Sequence, residues 1–293
     1  MTNSLLSEMQ PAILEKFKQI LANGKLSHAY LFSGDFGAFE MAIYLTQFLF
    51  CEKETKPCGQ CRFCRLIAEN SFTDMAIVEP EGMTIKTDTI RSVVSRFSQS
   101  GFEGNRQVVI IKQAERMHPS AANSLLKALE EPQSDMTVFL LTGNPEQVLP
   151  TIKSRCQEIR FTKNKDYLTA KLEKEGLLPT QASMLAEISE NLDEAIDLSR
   201  NTNILRAQER VFDFIAAWQS DMMIAYLKVP ELATIVKERK EQAYFFEMLM
   251  VCLGKEFSDR TPIYLDSIFR GYQMWRANVS FQNALEYILF DVT

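Results

Sequence analysis

"LFSGDFGAFEMA", residues 31–42, decides how this chain is read. The apolar run "AYLF" (29–32) leads into it, Gly34 and Gly37 form a turn, and Ala38–Phe50 continue as an apolar-rich helix. Strand, glycine turn and helix in that order have the outline of a phosphate-binding loop. In such a loop backbone N–H groups and the helix N-terminus surround phosphate oxygens. The side chains it needs are different here. Glu40 stands at the position of the phosphate lysine and sets a carboxylate against phosphate, which reverses the sign of the interaction. Met41 replaces the hydroxyl residue that holds Mg²⁺, a hard cation that wants oxygen. Phe39 adds bulk where the chain must approach a nucleotide closely. Taken alone, the stretch also reads as a plain glycine-containing turn between a strand and a helix.

Working outward, residues 11–162 alternate apolar strands with amphipathic helices, the pattern of a parallel sheet covered on both faces. Ile13, Leu14, Phe17, Ile20 and Leu21 form a helical stripe closed by Asn23-Gly24. "MAIVEP" (75–80), "QVVIIK" (107–112), "MTVFLLT" (136–142) and "CQEIRF" (156–161) read as further strands. Ile90, Val93, Val94 and Phe97 mark a helix for which Asp88 is the expected N-cap. Pro119 suits the first turn of a helix that turns Ala122, Leu125, Leu126 and Leu129 inward and stops before Pro132. Beyond 163 the strand signal fades into helical periodicity broken at Gly176, Pro179, Asn201, Pro230, Gly254 and Pro262. The expected organisation is an α/β domain over 1–162, a small helical domain over 163–205 and a larger helical one over 206–293.

Composition limits the function. Lys+Arg 32 against Asp+Glu 38 leaves a net charge of −6, unlike a protein that grips nucleic acid alone. No apolar run reaches the roughly 18 residues of a membrane span, and the polar start "MTNSLLSEMQ" has no signal-peptide pattern, so a cytoplasmic protein is expected. Four of the six cysteines fall within residues 51–64, as C-x6-C-x2-C-x2-C. In a reducing compartment, Cys51, Cys58, Cys61 and Cys64 suit a closed tetrahedral Zn²⁺ site of structural kind. A redox pair or simple buried thiols are the other readings. Cys156 and Cys252 read as small core residues. The two histidines, His28 and His118, lack a nucleophile motif, which leaves a hydrolase little to stand on. The run Lys237-Glu238-Arg239-Lys240-Glu241 reads as a solvated helix face.

The usual partner of a phosphate loop is a later strand ending in Asp-Glu, which supports Mg²⁺ and orients the attacking water. Here "VVII" runs into Lys112-Gln113, a cation and an amide. Both halves of one catalytic site have lost their chemistry while the framework stays. The run Ala122-Asn123-Ser124-Leu125-Leu126-Lys127-Ala128-Leu129-Glu130-Glu131-Pro132, followed by "FLLTGNPEQVLPTIKSRC", resembles the clamp-loader AAA+ family. The specific motifs lie within residues 28–161.

The resemblance implies a P-loop-type AAA+ domain, a helical lid and an all-α collar, in a component of the DNA polymerase III machinery. It implies motor ATPase subunits and the clamp-opening delta subunit as partners in a hetero-oligomer. The sliding clamp and primed DNA are reached through that complex, with no membrane involved. It assigns Arg155, in Ser154-Arg155-Cys156, as a finger into a neighbour's ATP site. Thr142 matches the sensor position beside the γ-phosphate, and Asp193 stands where the lid usually offers an arginine. With Gly34, Gly37, Phe39, Glu40, Met41, Lys112 and Gln113 these make a degenerate site expected to hold no ATP. An active AAA+ ATPase with an atypical loop, and a zinc-based nucleic-acid-binding protein using Arg62 and Arg65, are the alternatives.

Overall fold

The computed structural model describes residues 2–97, 106–130, 135–256 and 258–292. The chain divides into two compact units, Met1–Asn164 and Lys165–Thr293.

In the first unit the order is α1 (Thr2–Met9), α2 (Pro11–Ala22), β1 (Ala29–Ser33), α3 (Ala38–Phe50), α4 (Arg62–Ala68), β2 (Met75–Val78) and α5 (Thr87–Phe97). Then follow β3 (Arg106–Ile111), α6 (Pro119–Glu130), β4 (Asp135–Thr142), α7 (Pro150–Lys153) and β5 (Gln157–Arg160). The five strands form one sheet in the order β2-β3-β4-β1-β5, and every pair is parallel. Strand alternation divides the core. Phe139 and Leu141 join Phe17, Tyr30, Phe32 and Met41 on one face, while Val138 and Leu140 join Leu31, Ile111, Leu125 and Leu129 on the other. Aromatic rings fill the first face, with Phe17 edge-on to Tyr30 at 5.4 Å and Phe32 against Phe139 at 5.5 Å.

The β1–α3 turn requires its glycines. Gly34 has φ +98°, and a Cβ there would lie 2.0 Å from the Phe161 carbonyl oxygen. Gly37, at φ +85°, is the N-cap of α3. The expected cap Asp88 lies instead inside the first turn of α5, where its carboxylate favours the helix dipole rather than closing the end. α6 starts at Pro119 as expected and buries Ala122, Leu125 and Leu129, with Leu126 partly covered. Glu131 and Pro132 lie outside the described residues.

The second unit is helical: α8 (Lys165–Lys174), α9 (Pro179–Ile188), α10 (Leu192–Arg200), α11 (Thr202–Ser220), α12 (Met222–Ile235), α13 (Arg239–Gly254), α14 (Thr261–Arg276) and α15 (Phe281–Phe290). Pro230 does not break the chain: it sits exposed within α12, whose buried Ala225, Val229, Leu232 and Ile235 carry the packing past the lost hydrogen bond. The run at 237–241 is not wholly solvated either. Glu241 is 4 % exposed and accepts from the Asn203 and Asn201 side-chain amides and from the backbone N–H groups of Lys237 and Glu238. Burial alone would raise its pKa, but these donors hold the carboxyl below its ordinary range. A buried carboxylate thus ties the start of α11 to the start of α13.

Candidate nucleotide site, cysteine cluster and arginine turn

In an open parallel sheet, ligands bind outside the carboxyl ends of the strands. At that edge β1 ends in Ser33, β3 runs into Lys112 and β4 ends in Thr142, with Ser33 paired to Thr142. Of the sequence-predicted loop residues, Gly34 meets Thr142, whose carbonyl accepts from its N–H at 2.8 Å, and Phe39 meets Lys112. The Lys112 ammonium stands 4.1 Å from the centre of the Phe39 ring and 2.6 Å from Glu79 Oε1. The parallel register sets Val78 beside Ile111, so the residues just beyond, Glu79 and Lys112, fall together. Met41 is fully buried in the core rather than turned toward the turn. Gln113 is exposed with φ +50°, a left-handed position that bends the chain into a short 3₁₀ turn over Ala114–Arg116.

Two further groups beside the turn are engaged within the chain. Gln10, 7 % exposed, donates through Nε2 to the Phe36 carbonyl at 2.8 Å and to the Thr162 carbonyl at 2.7 Å. A Cβ at Gly37 would meet Gln10 at 3.2 Å and Leu6 and Met9 at 3.8 Å, so α1 and its junction with α2 lie directly against the turn. The Thr142 hydroxyl is spent internally: it donates to Glu115 Oε2 at 2.7 Å and accepts from the Asn144 N–H at 3.1 Å. Partial burial, and then the Glu115 charge, push the Asp35 carboxyl above its ordinary value. Asp35 and Glu115 thus lie near each other, and Glu40 stands in the first turn of α3, so the segment carries acidic groups, the opposite of what phosphate needs. Gln10, Glu79, Asp35 and Glu115 were not singled out from sequence. Only the Glu79–Lys112 pair had a signal there, two charges each just past a neighbouring parallel strand. Asp193 lies in the other unit, exposed in the first turn of α10.

The four cysteines of the cluster converge. Cys51 follows α3, Cys61 is the N-cap of α4, and all four Sγ atoms lie within 4.8 Å of one another. Four thiolates around a tetrahedral ion with bonds of about 2.3 Å stand about 3.8 Å apart, so this set needs only a small contraction to hold a metal ion. Backbone N–H groups already point at the sulfurs: Cys58 to Cys51 Sγ at 3.4 Å, Cys61 to Cys58 Sγ at 3.3 Å and Cys64 to Cys61 Sγ at 3.4 Å. The N–H groups of Gln60 and Cys61 lower the Cys58 thiol to about 6, whereas burial pushes the Cys64 thiol up. Gln47 Nε2 donates to the Cys64 carbonyl at 2.7 Å and anchors the cluster to α3. Outside it, Cys156 is pushed up to about 12 and Cys252 to about 11 by burial, and Cys252 is a core residue. His28 extends the sheet only through its carbonyl, which accepts from Val138 N, and His118 Nδ1 accepts from the Ser120 N–H at the start of α6.

Arg155 stands apart from all of this. It follows α7 and is exposed, its guanidinium folded back so that Nη1 donates to the Thr151 carbonyl at 3.0 Å and to Ser154 Oγ at 3.3 Å. Nη2 is ion-paired with Glu130 at the end of α6.

Comparison with known proteins follows the same lines. The sequence model of the family described as "DNA polymerase III, delta subunit" matches residues 9–165. The chain is 33 % identical to DNA polymerase III subunit delta' of Bacillus subtilis over 245 residues, which is 82 % of this chain and 69 % of that protein. It is 34 % identical to the Pseudomonas aeruginosa subunit delta' over 157 residues, 52 % of this chain and 48 % of that protein. A DNA polymerase III gamma subunit-related protein from Thermotoga maritima has a similar fold, with TM-score 0.51 at 21 % identity, covering 94 % of this chain and 97 % of that one. The α/β AAA+ fold with a helical C-terminal region and the clamp-loader resemblance expected from residues 28–161 both stand. The chain belongs to the DNA polymerase III delta-prime family of clamp-loader subunits.

Proposed function

We propose that this chain is a clamp-loader subunit without nucleotide of its own, which joins motor ATPase subunits and the clamp-opening delta subunit in a hetero-oligomer. That assembly loads the sliding clamp on primed DNA. The observation that carries this reading is the set of side chains in the loop site: Lys112 on Phe39 and Glu79, and Gln10 across Phe36 and Thr162. A nucleotide there would have to displace packed protein and sit among three acidic groups. This favours the non-hydrolysing reading over an active ATPase with an atypical loop, and Thr142, bonded to Glu115, then senses no phosphate.

Arg155 is the chain's contribution to hydrolysis. Placed in a neighbour's ATP site, the guanidinium stabilises charge developing on the γ-phosphate, an effect worth roughly 10³ to 10⁵ in rate. We read 163–205 as the lid and 206–293 as the collar through which subunits assemble, a boundary that falls in the first turn of α11 (Thr202–Ser220), which would join the two. Cys51, Cys58, Cys61 and Cys64 would hold structural Zn²⁺, which orders a segment with little apolar content of its own. Arg62 lies over Phe63 at 5.7 Å, and two cations make a thin footprint for nucleic acid.

Reconstitution tests the proposal. The motor and delta subunits, with and without this chain, are assayed for loading of the sliding clamp on primed DNA. Loading is expected only when the chain is present and co-elutes with the others; full loading in its absence would refute the assignment.

A further inference from the structure

The Arg155 side chain has a partner that the finger assignment does not require. Glu130, the last residue of α6, pairs with Nη2, while the Thr151 carbonyl and Ser154 Oγ accept from Nη1. A guanidinium has five N–H donors in a rigid fork. Both Nη1 and Nη2 are engaged here within the chain, which restrains the guanidinium, and among the described residues Nε has no acceptor.

An exposed arginine on a flexible stem otherwise samples many rotamers, and catalysis through a developing charge depends on donors already in place. Glu130 and Arg155 come from separate elements, the end of one helix and the turn after another, so their pairing specifies the guanidinium's direction better than its own turn can. Resting on the finger reading above, we propose that Glu130 is a positioning residue for Arg155, orienting it toward the neighbouring subunit's triphosphate. It touches no substrate itself.

The experiment uses the reconstituted complex and measures single-turnover ATP hydrolysis and KM for ATP with Glu130→Ala, Glu130→Gln, Arg155→Ala and the Glu130→Ala/Arg155→Ala double variant. Glu130→Ala is expected to lower the rate about tenfold, less than the hundredfold that a misplacement of about 1 Å can cost, with KM unchanged. Glu130→Gln, whose amide oxygen still accepts a hydrogen bond, falls between Ala and wild type. Glu130→Ala adds nothing once Arg155 is absent, the coupling expected of two residues acting as one unit. A merely structural Glu130 would instead lower thermal stability or co-elution and act equally in both backgrounds. If Arg155→Ala slows hydrolysis while Glu130→Ala leaves it unchanged, or raises it by freeing a parked arginine, the positioning role is wrong and the finger stands. If Arg155→Ala itself has no effect, both fall.

Discussion

Two places in the first unit carry the charges that a nucleotide would meet, and they treat those charges in different ways. At the loop, Lys112 is drawn inward, one-third exposed, against Phe39 and Glu79, and Gln10 and Thr142 are likewise spent on protein partners. At the turn after α7, the Arg155 side chain, 38 % exposed, is likewise paired within the chain, with Glu130, the Thr151 carbonyl and Ser154 Oγ, but none of these partners belongs to the loop site. One framework thus contains a site closed by internal satisfaction and a cation held outside. A lysine ammonium between a ring and a carboxylate is committed to its own chain, whereas a guanidinium, with five donors in a rigid fork, can be held by its own chain and still offer donors elsewhere. On our proposal, this is how an ATPase fold serves hydrolysis without binding ATP.

The sharpest way to break the contrast is Arg155→Ala. If the outward arginine acts in trans, hydrolysis at the site it serves drops roughly 10³- to 10⁵-fold. The free chain should lose no more than about 1 kcal/mol, the usual scale of an exposed ion pair. Unchanged turnover removes the finger assignment.

The cysteine segment offers a third mode of closure, by metal. About one zinc per chain is expected by elemental analysis, and Cys58→Ser with Cys61→Ser together should abolish it and lower the melting temperature clearly, since structural sites contribute on the order of 10 kcal/mol in small modules. Zinc retained by that double variant would refute the cluster. At the loop the expected effect is smaller and of the opposite kind from Arg155. Gln10→Ala removes two hydrogen bonds of a buried amide, to the Phe36 and Thr162 carbonyls, and should cost about 1–3 kcal/mol in denaturant unfolding. It should not change the rate of the assembled complex. A rate loss without a stability loss would mean that the two regions had been assigned the wrong way round.

How much of this was legible in the sequence depends on the range of the interaction. Strands such as "AYLF" and "QVVIIK" read correctly because both faces of a parallel sheet are buried, so they are continuously apolar. The cysteine cluster was legible because its ligands lie close in sequence. Local rules failed where packing overrode them: Pro230 stays helical because three-dimensional contacts hold α12, and Glu241 is buried although it sits in a run of charges. Gln10 could not have been found at all. One of its acceptors is 152 residues away, and no periodicity or motif marks a glutamine whose role is to span two carbonyls. On our proposal the loop's lost chemistry is legible in Glu40 and Met41, but the packing of Lys112 over Phe39 appears only when the end of β3 and the start of α3 are brought together.

The most direct test of the central claim is ATP binding by the isolated chain, measured by equilibrium dialysis with labelled nucleotide and Mg²⁺. No saturable binding is expected, and none in Glu40→Lys either, because restoring the lysine leaves Phe39, Met41, Lys112 and Gln10 in place. One ATP per wild-type chain, bound at micromolar concentration, would contradict the account.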